Sequence, residues 1–309
     1  MAPQHTRILP YGEEAIAEAA RLILAGQPVA VPTETVYGLA ADATNGEAVA
    51  RIYEAKGRPS FNPLIVHVAL LAEAERIAAF DDQARAFAGR YWPGPLTLVL
   101  PLREGSGIAS LVTAGLPTIA LRVPAHPAMR SLLERSGRPL AAPSANASGR
   151  ISPTRAGHVR DSLGGRIPLI IDAGATAHGL ESTIIALAEG RVRLLRPGPI
   201  PPDELGAVTF EGDRIEAPGQ MRSHYAPSKP LRLDASAAKA GEWLIGFGAV
   251  DGDRNLSSGG GLVQAAANLF EALHEAEASA ADAIAVAPIP DAGLGAAIND
   301  RLRRAAAPR

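Results

Sequence analysis

The sequence contains no cysteine, and only three of its 30 basic residues are lysine. Without cysteine the chain cannot form disulfides, zinc sites built on thiolates or a cysteine nucleophile, which is typical of a protein in a reducing compartment. Its seven histidines are scattered, and none belongs to an H-E-x-x-H pattern that would bind zinc on a helix face. We therefore predict no metal-ligating residues.

Long apolar runs and a strong net charge are also absent. No apolar run approaches 18 residues and no basic leader precedes an apolar segment, so we expect no membrane span and a cytoplasmic protein. The formal net charge of −2 supplies no overall positive field for a nucleic acid or an acidic membrane. Local positive clusters remain compatible with this balance.

The 309 residues are enough for two hydrophobic cores. Helix and strand patterns alternate over residues 1–206, periodicity disappears over 207–230, and the alternation resumes over 231–309. The middle segment is aromatic and poor in serine, which favours an ordered linker over a flexible one. We therefore predict an α/β fold with a larger domain at 1–206 and a smaller α/β domain at 231–309.

Residues 51–68 join a helix end, a cationic turn and a buried strand without a spacer. Gly57 is suited to be the C-cap of the helix, and two prolines after it prevent the helix from continuing. Lys56 and Arg58 then lie at the mouth of a rigid turn, and His67 lies near the end of the strand that follows. The alternative for the two cations is a solvated position that complements the helix dipole.

Hydroxyl groups follow the end of another predicted strand, within residues 32–39. Thr33 and Thr35 in this segment are suited to holding a small polar ligand. The alternative is that both threonines cap the turn and that Glu34 is solvated.

Arg122 interrupts the apolar strand pattern of residues 117–123. A buried cation that loses its partner costs about 3 to 5 kcal/mol, so this guanidinium needs an anion. That anion is either a charged ligand or an internal carboxylate such as Glu134 or Asp172.

Small polar residues form the loop after the strand predicted at 139–142. Ser144 and Asn146 are two positions apart, so both side chains can point the same way. Pro153 is predicted to be the first residue of the next helix. This places Thr154 in the first turn, where free N–H groups favour an anion.

A hairpin is predicted from residue 179 to residue 195, with its turn at 189–190. Ser182 opens this hairpin and Arg196 closes it. Because the two ends of a hairpin are neighbours in space, we expect these two side chains to lie close together.

No P-loop pattern, no G-x-S-x-G pattern and no serine–histidine pair with an obvious supporting carboxylate occurs. The predicted strand ends instead offer cations and neutral donors. The cations are Lys56, Arg58, Arg122 and Arg196, and the donors are Ser144, Asn146, Thr154 and Ser182. Such a set suits a polyanion held beside a small zwitterion, with catalysis by positioning and electrostatics.

Several ordered motifs occur together: PTETVYGLA, RPSFNPLIVHV, WPGPLTLVL, APSAN and ESTII, with Lys56-x-Arg58 and Ser144-x-Asn146. In these motifs the chain resembles the YrdC-like threonylcarbamoyl-AMP synthases, and the two-domain form is the closer match. The segments NLSSGGGLVQAAANLFEAL and GLGAAINDRLRRAA look like the C-terminal domain of that form. The resemblance therefore covers nearly the whole chain.

The resemblance implies a fold and a reaction. The fold is an open, twisted, mixed α/β sheet with a positively charged concave face, a linker at 207–230 that closes over the site, and a second, smaller Rossmann-like domain. The reaction is that of an L-threonylcarbamoyladenylate synthase, a nucleotidyltransferase. It converts L-threonine, bicarbonate or CO2, and ATP into threonylcarbamoyl-AMP and pyrophosphate. A downstream threonylcarbamoyl transferase complex would then modify the adenosine beside the anticodon of tRNAs that read ANN codons.

The resemblance also assigns residues to this reaction. The residues implied for L-threonine are Thr35, His67, Arg122, Ser144 and Ser182. The residues implied for ATP are Arg58, Asn62, Thr118, Asn146, Thr154, Arg196 and Tyr225. Lys56 and Arg58 would be the catalytic cations, with Lys56 beside the phosphates and their Mg2+, and no permanent cofactor is expected. Because the carbamate is already an anion, we expect in-line attack on the α-phosphorus without a general base.

Two other interpretations remain open. A related enzyme could make a carbamoyl-adenylate on another substrate, since the ATP half of its site would look alike. Alternatively, a basic concave face could bind double-stranded RNA or tRNA as part of an assembly factor, although the net charge of −2 argues against strong binding. Residues 221–225 are less basic and less aromatic than in many relatives, which leaves open whether Arg222 and His224 help to close the site.

Overall fold

The structure, a computed structural model, describes residues 5–188, 190–206, 208–209, 216–221 and 223–308. Its strands are β1 (Arg7–Pro10), β2 (Val29–Pro32), β3 (Tyr37–Asp42), β4 (Ile65–His67), β5 (Leu96–Pro101), β6 (Thr118–Arg122), β7 (Leu140–Ala141), β8 (Leu169–Asp172), β9 (Thr183–Ala188), β10 (Arg191–Arg196), β11 (Val208–Thr209), β12 (Leu231–Arg232), β13 (Glu242–Gly246), β14 (Arg254–Asn255) and β15 (Ala283–Val286). Its helices are α1 (Glu13–Leu24), α2 (Gly46–Lys56), α3 (Leu71–Ile77), α4 (Asp82–Tyr91), α5 (Ser110–Thr113), α6 (Pro127–Ser136), α7 (Ala156–Leu163), α8 (Leu262–Ala278) and α9 (Leu294–Ala306). None of these helices combines the length and the apolarity needed to cross a bilayer.

Two sheets organise the described residues. Eleven strands form the larger one, in the order β1-β8-β2-β3-β7-β4-β6-β5-β9-β10-β11. Parallel and antiparallel neighbours are mixed: β4 and β6 are parallel, for example, whereas β5 and β6 are antiparallel. The smaller sheet has the order β12-β15-β13-β14, and its three pairings are parallel. The predicted α/β class, with a mixed sheet and a second smaller α/β unit, is confirmed.

One face of the large sheet is covered by a continuous hydrophobic core. Side chains alternate between the two faces of a strand, so Val66 and Leu121 point into this core. Residues from α2, such as Val49 and Ile52, pack against it. The core therefore fixes α2 against the sheet and determines where the end of this helix lies.

The opposite face of the large sheet is divided into two parts. Helices α1 and α6 cover the part formed by β1, β8, β2, β3 and β7. The remaining part carries a small cluster of strand residues, which is Ile65, Val99, Ala120, Ile184, Ala186 and Leu195. Ala217 from the segment after β11 packs on this cluster, and no residue of a described helix belongs to it. We call this part the open face, and Ile65 and Ala120 share it with His67 and Arg122 because strand side chains alternate.

The smaller sheet and the larger one share apolar packing. Val36, Ile151 and Leu180 from the first 206 residues belong to the same buried cluster as Phe270 of α8 and Ile298 of α9. Within the segment predicted as a linker, β11 pairs with β10 as the last strand of the large sheet.

Some sequence predictions of secondary structure were wrong. Strands β1, β3, β11 and β14 and helices α3, α5 and α6 were not predicted, and α7 begins at Ala156 rather than at Pro153. Thr154 therefore precedes the helix instead of lying in its first turn. Tertiary contacts explain this, because Ser152 donates to Glu181 and the carbonyl of Thr154 accepts from Thr176 N at 3.0 Å. The predicted hairpin is confirmed as the antiparallel pair β9 and β10.

The end of α2 provides a test of local structure. Gly57 caps the helix in the left-handed region at φ 59°, and an added Cβ would meet no atom within 4 Å. Gly57→Ala should therefore lower the free energy of unfolding by about 1–2 kcal/mol through backbone strain alone. Gly46→Ala is the matched control, because Gly46 begins the same helix with equally open space and no positive φ. Urea unfolding in which Gly57→Ala cost no more than Gly46→Ala would contradict the assigned cap.

Candidate active site

The ends of four strands bring the predicted site residues to one edge of the open face. Strands β4 and β6 are parallel, and His67 and Arg122 are register partners at their carboxyl ends. The start of β9 and the end of β10 lie at the same edge, because β5 is antiparallel to β6 and parallel to β9. Ligands of open α/β sheets commonly bind at such strand ends.

A small cavity of about 40 Å3 lies at this edge. The predicted site residues that line it are Thr35, Arg58, His67, Arg122, Ser144, Ser182, Arg196 and Tyr225. The predicted site residues that do not line it are Lys56, Asn62, Thr118, Asn146 and Thr154. The structure therefore brings eight of the predicted site residues together at this cavity and leaves five outside its lining.

Lys56 is buried and hydrogen-bonds to the loop that follows β7. Its Nζ donates to the carbonyl oxygens of Ser144 and Asn146, both at 2.5 Å. Burial, and then the charge of Arg58, hold the pKa of Lys56 well below its usual value. The solvated alternative for Lys56 and Arg58 is wrong, since only 2% and 8% of their surfaces are exposed. Lys56 thus ties α2 to the loop that carries Ser144.

Arg58 and Arg196 are buried cations whose described partners are uncharged. Arg58 donates to the carbonyls of Asn62 at 3.2 Å and Pro63 at 2.9 Å. Arg196 donates to the carbonyl and the hydroxyl of Ser182, each at 3.0 Å. Burial lowers the pKa of Arg58 to about 10 and also lowers that of Arg196. An anion within reach of both groups would offset this cost of burying positive charge.

Arg122 has a carboxylate partner, but it is neither of the two proposed from the sequence. Arg122 forms an ion pair with Glu34 and donates to Thr35 Oγ1 at 3.0 Å. Glu134 instead lies 3.9 Å from Arg130, and Asp172 accepts from its own turn at Gly174 N. The partner is therefore supplied by the turn between β2 and β3, which folds over the strand end.

The same turn was only partly predicted. Thr33 Oγ1 does cap it, accepting from the N–H of Thr35 and of Val36. Glu34 is not solvated but 7% exposed. Burial is the largest effect on its pKa and raises it, but the charge and hydrogen bond of Arg122 outweigh burial, so that the pKa is lowered. Glu34 is thus an anion that fixes Arg122 in place.

Several buried polar atoms around the cavity have no hydrogen-bond partner among the residues that the structure describes. They are both ring nitrogens of His67, Oδ1 of Asn62, Oδ1 of Asn146, Nδ1 of His224 and the hydroxyl of Tyr225. Buried polar atoms are nearly always satisfied in folded proteins. Their concentration here indicates a place where a polar ligand binds.

Four residues of the segment after β11 form a cover over this cavity: Pro218, Gly219, His224 and Tyr225. The cover lies tightly on the site, since a Cβ at Gly219 would lie 2.8 Å from the Tyr225 hydroxyl and 2.9 Å from Arg196 Cδ. Arg222, whose role was left open, lies outside the described residues.

Thr118 and Thr154 do not line this cavity. Thr118 lies four positions before Arg122 on β6 and on the same open face. It lines a second cavity of about 460 Å3. Thr154 contacts His158 at 3.4 Å and Glu271 of α8 at 3.4 Å. Thr154 is therefore placed at the packing surface with the second domain.

Glu181 lines the cavity and was missed as a site residue. It directly precedes Ser182 in the ESTII motif, so its position beside a predicted ligand residue was the available signal. Among the described residues, no group of three or more His, Asp or Glu side chains is arranged to hold a metal ion.

Comparisons with known proteins cover the whole of this architecture. A family model described as "Telomere recombination", that of the Sua5, YciO and YrdC proteins, matches residues 21–198. The model of the threonylcarbamoyl-AMP synthase C-terminal domain matches residues 194–307.

Curated relatives match over nearly their full length. The threonylcarbamoyl-AMP synthase of Pyrococcus abyssi is 42% identical and aligns over 93% of this chain and 92% of its own. That of Bacillus subtilis is 40% identical, over 95% and 93%. Among solved structures, P. abyssi Sua5 complexed with L-threonine superposes with a TM-score of 0.89 and 39% identity, covering 97% of each chain.

The buried imidazole of His67 makes a testable contribution to acid stability. Burial, and then the charge of Arg122, lower its pKa from 6.5 to about 3. Between these two values the unfolded chain binds a proton that the folded chain does not. The free energy of unfolding should therefore fall with falling pH by about 1.4 kcal/mol per pH unit on account of this group.

His67→Gln removes this group and should show a correspondingly shallower slope in urea unfolding between about pH 6 and 4. His5→Gln is the control, because His5 is exposed, and it should leave the slope unchanged. Equal slopes for the wild type and His67→Gln would contradict the burial of an uncharged imidazole.

Proposed function

We propose a function on the premise that this chain belongs to the Sua5, YciO and YrdC family, in the form that carries the threonylcarbamoyl-AMP synthase C-terminal domain. It is a nucleotidyltransferase that joins L-threonine, bicarbonate or CO2, and ATP into threonylcarbamoyl-AMP and releases pyrophosphate. The observation that carries this function is the convergence of Arg58, Arg122 and Arg196 on one cavity beside Thr35 and Ser182. A carbamoyl-adenylate on another substrate and an RNA-binding assembly factor are not favoured.

We propose that L-threonine binds at the strand ends of the open face. Arg122 would meet its carboxylate with the donor capacity left after the bonds to Glu34, Thr35 and Gly94. The hydroxyl of Ser182, which pairs with Thr97 at 2.7 Å, and the free ring nitrogens of His67 supply neutral partners for its hydroxyl and amino groups. Thr35 and Ser144 would complete this pocket.

We propose that ATP lies along the open face, next to the amino acid. Arg58 and Arg196 would bind phosphate oxygens, because these two cations have no described carboxylate partner. Thr118 is four strand residues from Arg122, a distance of about 13 Å, which suits the sugar and base. The free Oδ1 atoms of Asn62 and Asn146 would accept from the nucleotide, and Tyr225 and Thr154 would border it.

The role proposed for Lys56 follows from its contacts. It would hold the loop of Ser144 and Asn146 in position and contribute positive charge beside the phosphates. Mg2+ would enter as the ATP complex, bound chiefly by the phosphates themselves, and no permanent cofactor would be needed.

The chemical step would proceed without a general base. Once the threonine amine has combined with CO2, a carbamate oxygen attacks the α-phosphorus, the bond to the bridging oxygen breaks, and pyrophosphate leaves. Burial lowers the pKa of His67 to about 3 and holds that of His224 well below its usual value, so both rings are neutral but are weak proton acceptors. Glu181, a carboxylate that lines the cavity, is ion-paired with Arg301. Positioning and positive charge would therefore supply the rate enhancement.

The surroundings of the reaction are also proposed. A cavity of about 40 Å3 under Gly219 and Tyr225 is too small for ATP, so the linker at 207–230 would open to admit it and close again before reaction.

The product would pass, in the cytoplasm, to a threonylcarbamoyl transferase complex acting on ANN-decoding tRNA. Binding of tRNA or double-stranded RNA to this chain would be weak, given its net charge of −2.

The reaction is tested by leaving out one substrate at a time. Purified protein with ATP, Mg2+, L-threonine and bicarbonate should release pyrophosphate and form threonylcarbamoyl-AMP, detected by mass spectrometry. Omission of threonine or of bicarbonate should abolish the adenylate product. Equal turnover with a different amino acid, or none with threonine, would refute the assigned substrate.

The electrostatic account is tested by removing single cations. Arg58→Ala and Lys56→Ala should each lower pyrophosphate release at least about 100-fold, since both remove positive charge from the proposed phosphate site. Arg21→Ala, on the exposed surface of α1, is the control and should keep normal activity. Near-normal pyrophosphate release by either site variant, with the fold retained by circular dichroism, would refute the account.

A further inference from the structure

A buried arginine of the second domain reaches the wall of the cavity. Arg301 is 0% exposed because it lies on the buried face of α9, together with Ile298, Leu302 and Ala305. A charged residue in such an apolar stripe needs partners. The sequence already shows this arginine at a core position, because Arg301 is three residues after Ile298 and four before Ala305, the spacing of one helix face.

The partners of Arg301 belong to both domains. Its Nε donates to Glu181 Oε2 at 2.8 Å, and its Nη1 donates to Asp300 at 2.9 Å. Its guanidinium lies 5.1 Å from the centre of the Tyr225 ring, in the cover of the cavity. Arg304 pairs with Asp300 at 2.9 Å, so two guanidinium groups alternate with two carboxylates. The network is neutral as a whole.

Glu181 is the member of this network that faces the proposed substrates. It lines the cavity beside Ser182 and also accepts from Ser152. Without Arg301, Glu181 would keep the weaker attraction of Arg196 and the hydrogen bond of Ser152, but it would lose its ion pair and leave a poorly compensated negative charge in the wall of a site meant for a polyanion. In a buried site a carboxylate charge in the wall repels phosphate charges more strongly than it would in water, and it leaves a zwitterion with no net charge much less affected.

We propose that Arg301 is a positioning residue for the nucleotide, supplied by the second domain. By neutralising Glu181 it keeps the cavity wall compatible with the charge of ATP, and by contacting Tyr225 it holds the cover above that wall. This role gives the second domain a direct part in nucleotide affinity. The inference rests on the proposed function, because it assumes that ATP occupies this cavity.

The test compares the binding of ATP, a polyanion, with that of L-threonine, a zwitterion, by calorimetry on the full chain. Arg301→Met should raise the dissociation constant of ATP about 10-fold or more, and that of threonine by less than about 3-fold. Glu181→Gln should change ATP affinity by less than about 3-fold, since Arg301 keeps Asp300 and Tyr225 as partners. The double variant should return to the affinity of Glu181→Gln, because no unpaired carboxylate remains.

Arg303→Met is the matched control on the same helix. Arg303 is exposed and pairs with Asp291 at 2.7 Å, so this variant should bind both ligands normally. If Arg301→Met does not fold, Arg301→Lys keeps a positive charge beside Glu181 but loses the guanidinium's fixed fork of donors, so it should weaken ATP binding by less than about 10-fold.

Three results would overturn the inference. One is equal weakening of ATP and threonine binding by Arg301→Met, which would indicate general damage to the site. The others are a double variant as weak as Arg301→Met, and a folded Arg301→Lys with a 10-fold loss. A wild type that binds ATP but forms no adenylate would refute the proposed reaction alone. A wild type that binds no ATP would refute both.

Discussion

Buried positive charge on the open face is the constraint on which the rest of the site depends. Arg58, Arg122 and Arg196 are each at most 8% exposed, and of these only Arg122 has a carboxylate partner among the described residues. Removing such groups from water is costly, and carbonyl oxygens offset only part of the cost. The charge balance of this surface therefore favours a ligand with several negative charges. A triphosphate chain satisfies that requirement better than a zwitterion does.

The architecture explains why the charges can converge there. Helices α1 and α6 cover one part of this sheet face, and small side chains such as Ala120 and Ala186 leave space above the other part. The segment that carries Gly219 and Tyr225 then covers the cations, and α9 holds this segment through Arg304, which donates to the Met221 carbonyl at 2.7 Å. The second domain is thereby coupled to the site by packing and by charge.

Local rules predicted those parts of the site that depend on neighbours in sequence. The glycine cap and the prolines located the turn of Lys56 and Arg58, and the hairpin pattern placed Ser182 beside Arg196. Contacts between distant segments were not accessible to such rules. The pairing of Arg122 with Glu34 joins residues 88 positions apart, and the contacts of Thr154 depend on how the second domain packs. Strand β3 was missed because both of its faces are buried, with Leu39 in the main core and Ala40 under α1 and α6, so its sequence does not alternate between apolar and polar residues.

The central claim is that one nucleotide satisfies the buried arginines while threonine occupies the adjacent strand ends. The most direct measurement is a crystal structure of this protein with L-threonine and a non-hydrolysable ATP analogue. The account predicts phosphate oxygens within hydrogen-bond distance of Arg58 and Arg196, and the threonine carboxylate at Arg122. A nucleotide bound elsewhere, with both arginines still contacting only carbonyl and hydroxyl oxygens, would contradict it.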